Sequence, residues 1–276
     1  MALQITPGSL SAAHEEIQVR TATVPQGGDL SHLLCGVLVL HNPTQEALRC
    51  ALPPSGGVTL LFPTDDSAVL CGPLSCSHLL TLQGGETIYG ARLHWDCGDW
   101  LWNGSLLQLV DHTVPLEPLL PGSDRLGSAL HRCTSPQEET ALLSRILTLR
   151  GARQYRSAPL LRRIIELLAE KGGQLQVSEL AALLGCNERY LNRILRQKVG
   201  LSTKPLCQLL QMQLTAELLM RECPKSLLHA AVACGYFDQA HMNRRCRSLL
   251  LDNASTVRAL GERRHSAQLL ALLALR

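Results

Sequence analysis

Four side chains between 189 and 196 have types and spacing that could read a nucleic acid. Arg189, Asn192, Arg193 and Arg196 recur at intervals of three and four, so on a helix they share one face. Arg suits guanine edges and phosphates, and Asn suits adenine edges. The opposite face, Leu191, Ile194, Leu195 and Val199, is apolar and would pack inward. A later stretch repeats the plan, with Met242, Cys246 and Leu249 inward and His241, Arg244, Arg245 and Ser248 outward. One such face alone reads equally well as a solvated charged surface. The repetition favours a duplex.

Other chemistry finds less support. Cys71, Cys76, His78, His94 and Cys97 invite a metal site, but their spacings match no standard zinc pattern. The expectation is ordinary buried cysteines, no metal and no cofactor. Phe62, Tyr89, Trp95, Trp100 and Trp102 could line an effector pocket, with core packing as the plainer reading. Gly27-Gly28-Asp29 and Gly84-Gly85-Glu86 read as turns, and no phosphate-binding glycine motif occurs. Asp65-Asp66 is a lone acidic pair in a turn, and no Ser/His/Asp or Cys/His arrangement stands out. The chain therefore reads as a non-enzyme.

The elements that must position these side chains fall into two parts. The 276 residues suggest two domains, and the overall charge of +3 hides an asymmetry. Residues 1–157 hold nine Arg, no Lys and 14 acidic residues, a net of −5. Residues 158–276 hold 17 basic and nine acidic residues, a net of +8, which points the back half at a polyanion. Aromatics make up only 3%, which argues against stacking platforms for single strands. No apolar run reaches a membrane span, and the start shows no secretory pattern. The 11 cysteines, with no C-x-x-C, then read as free thiols in a reducing cytoplasm.

Up to about residue 125, the runs GGVTLLF, AVLCG, SHLLTL, GETIYGARLHW and GSLLQLV are strand-length and separated by turn residues. They predict a small antiparallel sheet or barrel, closed by the proline-rich VDHTVPLEPLLPGSD. Ser135-Pro136 predicts a helix start, with Leu142, Leu143, Ile146, Leu147 and Leu149 at helical spacing. Residues 151–157 read as a basic linker. The back half divides into about seven helices: 159–170, 178–185, 189–199, 204–222, 226–235, 239–250 and one from about 255. Ser178 is the expected N-cap of the second. The second and third, and again the fifth and sixth, form a helix, a short turn and a helix, a duplicated helix-turn-helix. The 204–222 helix between them would span roughly 28 Å at ~1.5 Å per residue. That is close to one turn of DNA, about 34 Å.

On the stretches SELAALLGCNERYLNRILRQKVGLS and AAVACGYFDQAHMNRR, residues 158–258 resemble the DNA-binding domain of the AraC/XylS family of bacterial transcriptional regulators. The resemblance implies seven helices, with two helix-turn-helix units joined by one long helix. It implies DNA contacts at Arg189, Asn192, Arg193 and Arg196 in the first unit, with Glu188 near the groove edge. In the second it implies contacts at Gln239, His241, Asn243, Arg244 and Arg247. Tyr190, Leu191, Ile194, Leu195, Tyr236, Met242 and Cys246 match core positions. The chain departs from the family pattern at Met242 and Cys246, where Phe is usual, and near Leu251 and Ala254, where Gly and Pro are usual. Gln211 and Leu214 stand where the family's linking helix carries arginines. These departures imply a looser second unit with weaker phosphate contact, each lost contact lowering the salt slope by roughly 0.9. LPPSGGVTLLF, CGPLS and the run from GARLHWDCGDWLW to VPLEPLLP are similar to the β-rich domain found ahead of such units. That similarity implies a module that senses a small molecule or dimerises.

The expected fold is α+β. A small, barrel-like β domain over 1–134 is followed by a helix and linker over 135–157. An all-α domain with two helix-turn-helix units joined by a long helix covers 158–262, and an apolar tail covers 263–276. The expected function is a sequence-specific transcription regulator reading two adjacent major-groove segments. Its expected partners are double-stranded DNA, a small-molecule effector, RNA polymerase and a second copy of the chain, with no membrane. No heptad seam supports the dimer. Three rivals remain at this point: an interaction protein with a weakened helix-turn-helix, a metal- or thiol-sensing regulator, and a repair enzyme using zinc-bound cysteine. The last would need closely grouped Cys ligands near the start, which the sequence lacks.

Overall fold

The computed structural model describes residues 3, 5–24, 30–222, 224 and 226–261, apart from the side chain of Thr23. The expected Gly27-Gly28-Asp29 turn and the 263–276 tail lie outside these residues. Among the described residues the front of the chain forms nine strands: β1 (Ile5–Pro7), β2 (Gln18–Thr23), β3 (Leu34–His41), β4 (Leu48–Leu52), β5 (Thr59–Pro63), β6 (Val69–Cys71), β7 (His78–Leu82), β8 (Thr87–Leu93) and β9 (Thr113–Pro115). They pair into two antiparallel sheets, one of order β1-β7-β4 and one of order β2-β3-β8-β5-β6-β9.

The six-stranded sheet is buried on both faces, and strand periodicity divides its side chains between them. Leu61 and Ile88 face the smaller sheet, with Leu48, Cys50, Leu80 and Leu82 across the gap. Leu60, Phe62, Tyr89 and Leu93 face the other way, against helices α1 (Leu126–His131) and α2 (Pro136–Leu149). Ser135 caps α2 as expected, its hydroxyl accepting from the Glu138 N–H at 3.3 Å.

Four of the five apolar runs became strands; the fifth did not. GSLLQLV turns through a 3-10 helix, Leu106–Leu109, because both Leu106 and Leu109 must reach one core, which alternation would forbid. The β1, β2, β3 and β4 strands and the helix α1 were not foreseen. The 151–157 segment is no free linker: Ala152 and Ser157 are buried, and the Ala152 carbonyl meets His32 Nε2 at 2.7 Å.

Among the later described residues seven helices form: α3 (Pro159–Glu170), α4 (Val177–Leu183), α5 (Glu188–Lys198), α6 (Thr203–Arg221), α7 (Leu227–Ala233), α8 (Gln239–Leu249) and α9 (Ala254–Gly261). The cap of helix α4 lies two residues earlier than the expected Ser178. Gln176 is its N-cap, and the Glu179 carboxylate accepts from the Gln176 N–H at 3.0 Å.

Two cores share the 19-residue α6. Its first half, through Leu206, Cys207, Leu209 and Leu210, packs with α3, α4 and α5. Its second half, through Met212, Ala216, Leu219 and Met220, packs with α7, α8 and α9. A helix wedged between two cores must be apolar nearly all round. Each core also takes side chains from the β part: Trp95 enters the first, and Leu10, Ala51 and Leu79 enter the second.

The ten described cysteines are all free, and seven are buried. Burial pushes the Cys50 and Cys71 thiols up to about 12 and Cys207 up to about 11. They are protonated and unreactive near neutral pH. Among the described residues no helix is long and apolar enough to cross a membrane.

Candidate nucleic-acid interface

The two helix-turn-helix units, α4–α5 and α7–α8, are built from matched local devices. Asn187 caps α5, its Oδ1 accepting from the Tyr190 N–H at 2.8 Å. Asp238 caps α8 in the same way, its Oδ1 accepting from the His241 N–H at 2.5 Å. Both caps satisfy an N–H that the first helical turn leaves unpaired. The small residues Ala181 and Ala230, Ala231 let the paired helices approach and are all buried.

After each second helix the chain turns through a left-handed residue: Gly200 at φ +85° after α5, Leu251 at φ +56° after α8. Glycine adopts that conformation freely, and leucine pays ~1–2 kcal/mol for it. Leu251→Gly is therefore expected to stabilise the protein by about 0.5–1 kcal/mol, after allowing for the extra freedom of an unfolded glycine. Urea unfolding checks this. An unchanged or lower midpoint would mean that the contacts of the Leu251 side chain outweigh the strain.

On α5 the side chains of Glu188, Arg189, Arg193 and Arg196 are exposed, while Leu191 and Leu195 are wholly buried. Arg193 lies over the ring of Tyr190, 5.3 Å from its centroid. Tyr190 is thus a platform on the exposed face and not the core residue implied by resemblance. On α8, Gln239, Arg244, Arg247 and Ser248 are exposed, His241 and Arg245 are half-buried, and Met242 and Cys246 are wholly buried. Leu249 is only partly buried, and Leu250 takes the inward place beside it. His241 stands edge-on to Tyr236, centroids 5.4 Å apart. None of Arg189, Arg193, Arg196, Arg244 and Arg247 has a carboxylate partner among the described residues. Five uncompensated guanidiniums on two helices leave their donors available to an anion.

Asn192 and Asn243 behave differently from the arginines around them. Asn192 Oδ1 accepts from both the N–H and the hydroxyl of Thr203, each at 3.0 Å. Asn243 Oδ1 accepts from the Ala254 N–H at 3.0 Å. Thr203 opens α6 and Ala254 opens α9, so both asparagines secure the next helix from equivalent positions. The Asn192 oxygen, with both lone pairs engaged, is not free for an adenine edge, and the Asn243 oxygen keeps one.

Asn192→Ala strands a polar pair at a wholly buried residue and is expected to cost about 1–3 kcal/mol of stability. Asn243→Ala should fall in the same range. A base-reading role alone would leave the unfolding midpoint unchanged and relax one base position.

Gln211 is likewise occupied. Its Nε2 donates to the Cys234 carbonyl at 2.8 Å and ties α6 to the end of α7. Sequence reasoning missed this because the partner lies 23 residues away.

The β part holds the C-terminal ends of α5 and α8. Lys198 Nζ meets Asp99 Oδ2 at 2.6 Å, and Ser105 Oγ donates to the Arg196 carbonyl at 3.4 Å. Around the second unit, the Ser77 N–H donates to the Leu249 carbonyl at 2.7 Å. Asp252 accepts from the Ser11 N–H at 2.9 Å and from its hydroxyl at 2.8 Å.

Between the β part and helices α3 and α6 lies a cleft of about 690 Å³, lined among others by His32, Trp95, Asp96, Arg162, Ala169 and Leu214. Asp96 accepts from the Ser157 hydroxyl and faces Arg162 Nε at 3.5 Å. Of the aromatics proposed for an effector pocket, Trp95 reaches this cleft, whereas Phe62 and Tyr89 are core residues of the β part. The metal reading gains nothing: His78 Nδ1 lies 2.9 Å from the Cys76 carbonyl and His94 Nε2 lies 3.0 Å from the Ser31 carbonyl. Among the described residues no three His, Cys, Asp or Glu side chains gather as a metal site would need.

Two capped helix pairs, each with a basic outer face, joined by a shared helix, define a double helix-turn-helix protein. Residues 180–259 match a family model described as a helix-turn-helix domain, and this part of the chain is a helix-turn-helix domain. No curated protein matches the chain. Among solved structures, an apo point variant of ToxT from Vibrio cholerae strain SCE256 is similar at 11% identity and a TM-score of 0.47, covering 80% of this chain and 96% of that one. Wild-type ToxT from the same strain, bound to an unsaturated fatty acid, is similar at 11% identity and 0.45, covering 80% and 94%. ToxT from strain O395 is similar at 10% identity and 0.41, covering 88% and 98%. Likeness at this level bears on neither ligand nor activity here.

Proposed function

We propose that the chain is a transcription regulator that binds duplex DNA through α5 and α8, laid in two adjacent major-groove segments. The observation that carries this reading is the doubling. Two helices with matched caps present uncompensated arginines, and a 19-residue helix, roughly 28 Å long, runs between the units that hold them. In this reading Arg189, Arg193 and Arg196 serve the first segment. Gln239, His241, Arg244 and Arg247 serve the second, while Asn192 and Asn243 shape the helices that follow. Selection from random duplex DNA by the full chain tests it. The expected result is a bipartite motif with half-sites about one turn apart. No enrichment over scrambled duplex overturns it.

The cleft beside Trp95 supports a second element of the proposal, regulation by a small molecule. Its volume suits a small ligand, and Trp95 belongs to the core of the first helix-turn-helix unit, so an occupant would bear on that unit directly. Filling the cleft with Ala169→Phe is expected to change duplex affinity severalfold while the protein stays folded. Unchanged affinity would separate the cleft from DNA binding.

A further inference from the structure

The chain has only two phenylalanines. Phe62 is wholly buried in the β part, and Phe237 is 91% exposed at the mouth of α8. A large apolar ring left in water is the unusual case, because burial is where such a side chain stabilises a fold.

Its local setting explains how it comes to be exposed. The turn of the first unit holds one residue, Cys186, between Gly185 and the cap Asn187. The turn of the second holds two, Tyr236 and Phe237, between Gly235 and the cap Asp238. Cys186 packs against the first core. In the second unit Tyr236 enters the core, with its hydroxyl 3.1 Å from Thr215 Oγ1. The extra residue, Phe237, is left outside. It directly precedes the cap, where an apolar side chain commonly staples onto the fourth helical residue. That residue is Met242, wholly buried among Met212, Tyr236 and Cys246. Phe237 therefore contributes nothing to the staple.

The same placement puts the ring beside the first turn of α8, next to exposed Gln239 and ahead of Arg244 and Arg247. The N-terminal turn of a recognition helix is the part that meets base edges. In the major groove the apolar feature a ring can complement is the thymine 5-methyl group. We infer that Phe237 reads a thymine methyl at the edge of the second half-site. This inference rests on the DNA-binding reading above. It supplies the second unit with a base preference that charge alone would not give.

The test uses the full chain and two variants of the duplex. Wild-type protein and Phe237→Ala are each put through random-duplex selection. The expected result is the same bipartite motif, with one thymine column lost in the variant. In a binding assay, replacing that thymine by deoxyuridine, which removes only the methyl, should weaken wild-type binding about fourfold, as one buried methyl group predicts. Phe237→Ala should bind the two duplexes equally. Identical motifs for the two proteins, or no deoxyuridine effect on the wild type, overturn the inference. So does a uniform loss across all sequences, which would mark the ring as a wedge or a backbone contact. If Phe237→Ala binds DNA normally but fails to act in reconstituted transcription, the ring serves a protein partner and the inference falls. If the wild type enriches no motif at all, the DNA-binding reading itself has failed, a result distinct from each of these. Folding is checked by thermal unfolding, which a substitution at so exposed a side chain should leave in place.

Discussion

A Gly173→Ala variant should lose about 2–5 kcal/mol of stability, read as a drop in the urea midpoint. Two costs add. Gly173 has φ +73°, where an L side chain pays ~1–2 kcal/mol. A Cβ there would also stand 2.1 Å from the Cys207 carbonyl oxygen and 3.0 Å from the Gln211 nitrogen. Both are backbone atoms of α6, so neither can swing aside, and overpacking of this kind costs ~1–3 kcal/mol. Gly172 supplies the control. Its φ is +57°, but its Cβ would meet only the Leu214 Cδ1 at 2.8 Å, the far end of a flexible side chain. Gly172→Ala should cost only the backbone part, about 1–2 kcal/mol. Equal losses at the two positions would refute the steric account. The consequence reaches function, because Gly173 lets the loop after α3 close onto α6, which carries both helix-turn-helix cores.

Replacing Arg193 by Ala should weaken duplex binding by about 1–3 kcal/mol, or roughly 5- to 150-fold, with stability changed by less than about 0.5 kcal/mol. Arg193 is exposed, lacks a carboxylate partner among the described residues and rests on the Tyr190 ring, so its removal leaves no buried group unsatisfied. Binding measured against several sequences separates its roles. A relaxed preference at one position means a base contact. A uniform loss, with the salt slope reduced by about 0.9, means a phosphate contact. No loss at all would remove α5 from the DNA interface.

Much of the candidate interface was legible in the sequence because its determinants are local. Helical phase follows from residues three and four apart, so the basic faces of α5 and α8 could be read directly. Caps act over three residues: Ser135 and Ser226, where helices were expected to open, are caps, whereas the expected cap Ser178 gives way to Gln176. The β part was harder. The run LLCGVLVLHN was not picked out as a strand, since a strand buried on one sheet and paired on both sides reads as a continuous apolar stretch. GSLLQLV was misread for the opposite reason: its composition suits a strand, and its contacts demand a turn.

The sequence by itself determined the duplicated helix-turn-helix, the phase of each recognition helix and the charge each presents. Those properties depend on neighbours within a turn or two. The tertiary structure decided which of the outward polar groups remain free. Asn192, Asn243 and Gln211 have the right types for DNA contact, yet each is taken by a backbone group 11 or 23 residues along the chain. Tyr190, a core position by resemblance, and Phe237 stand outside because Leu191, Met242 and Tyr236 already fill the cores. Spacing sets the face a side chain occupies. Only packing settles whether a partner is waiting there.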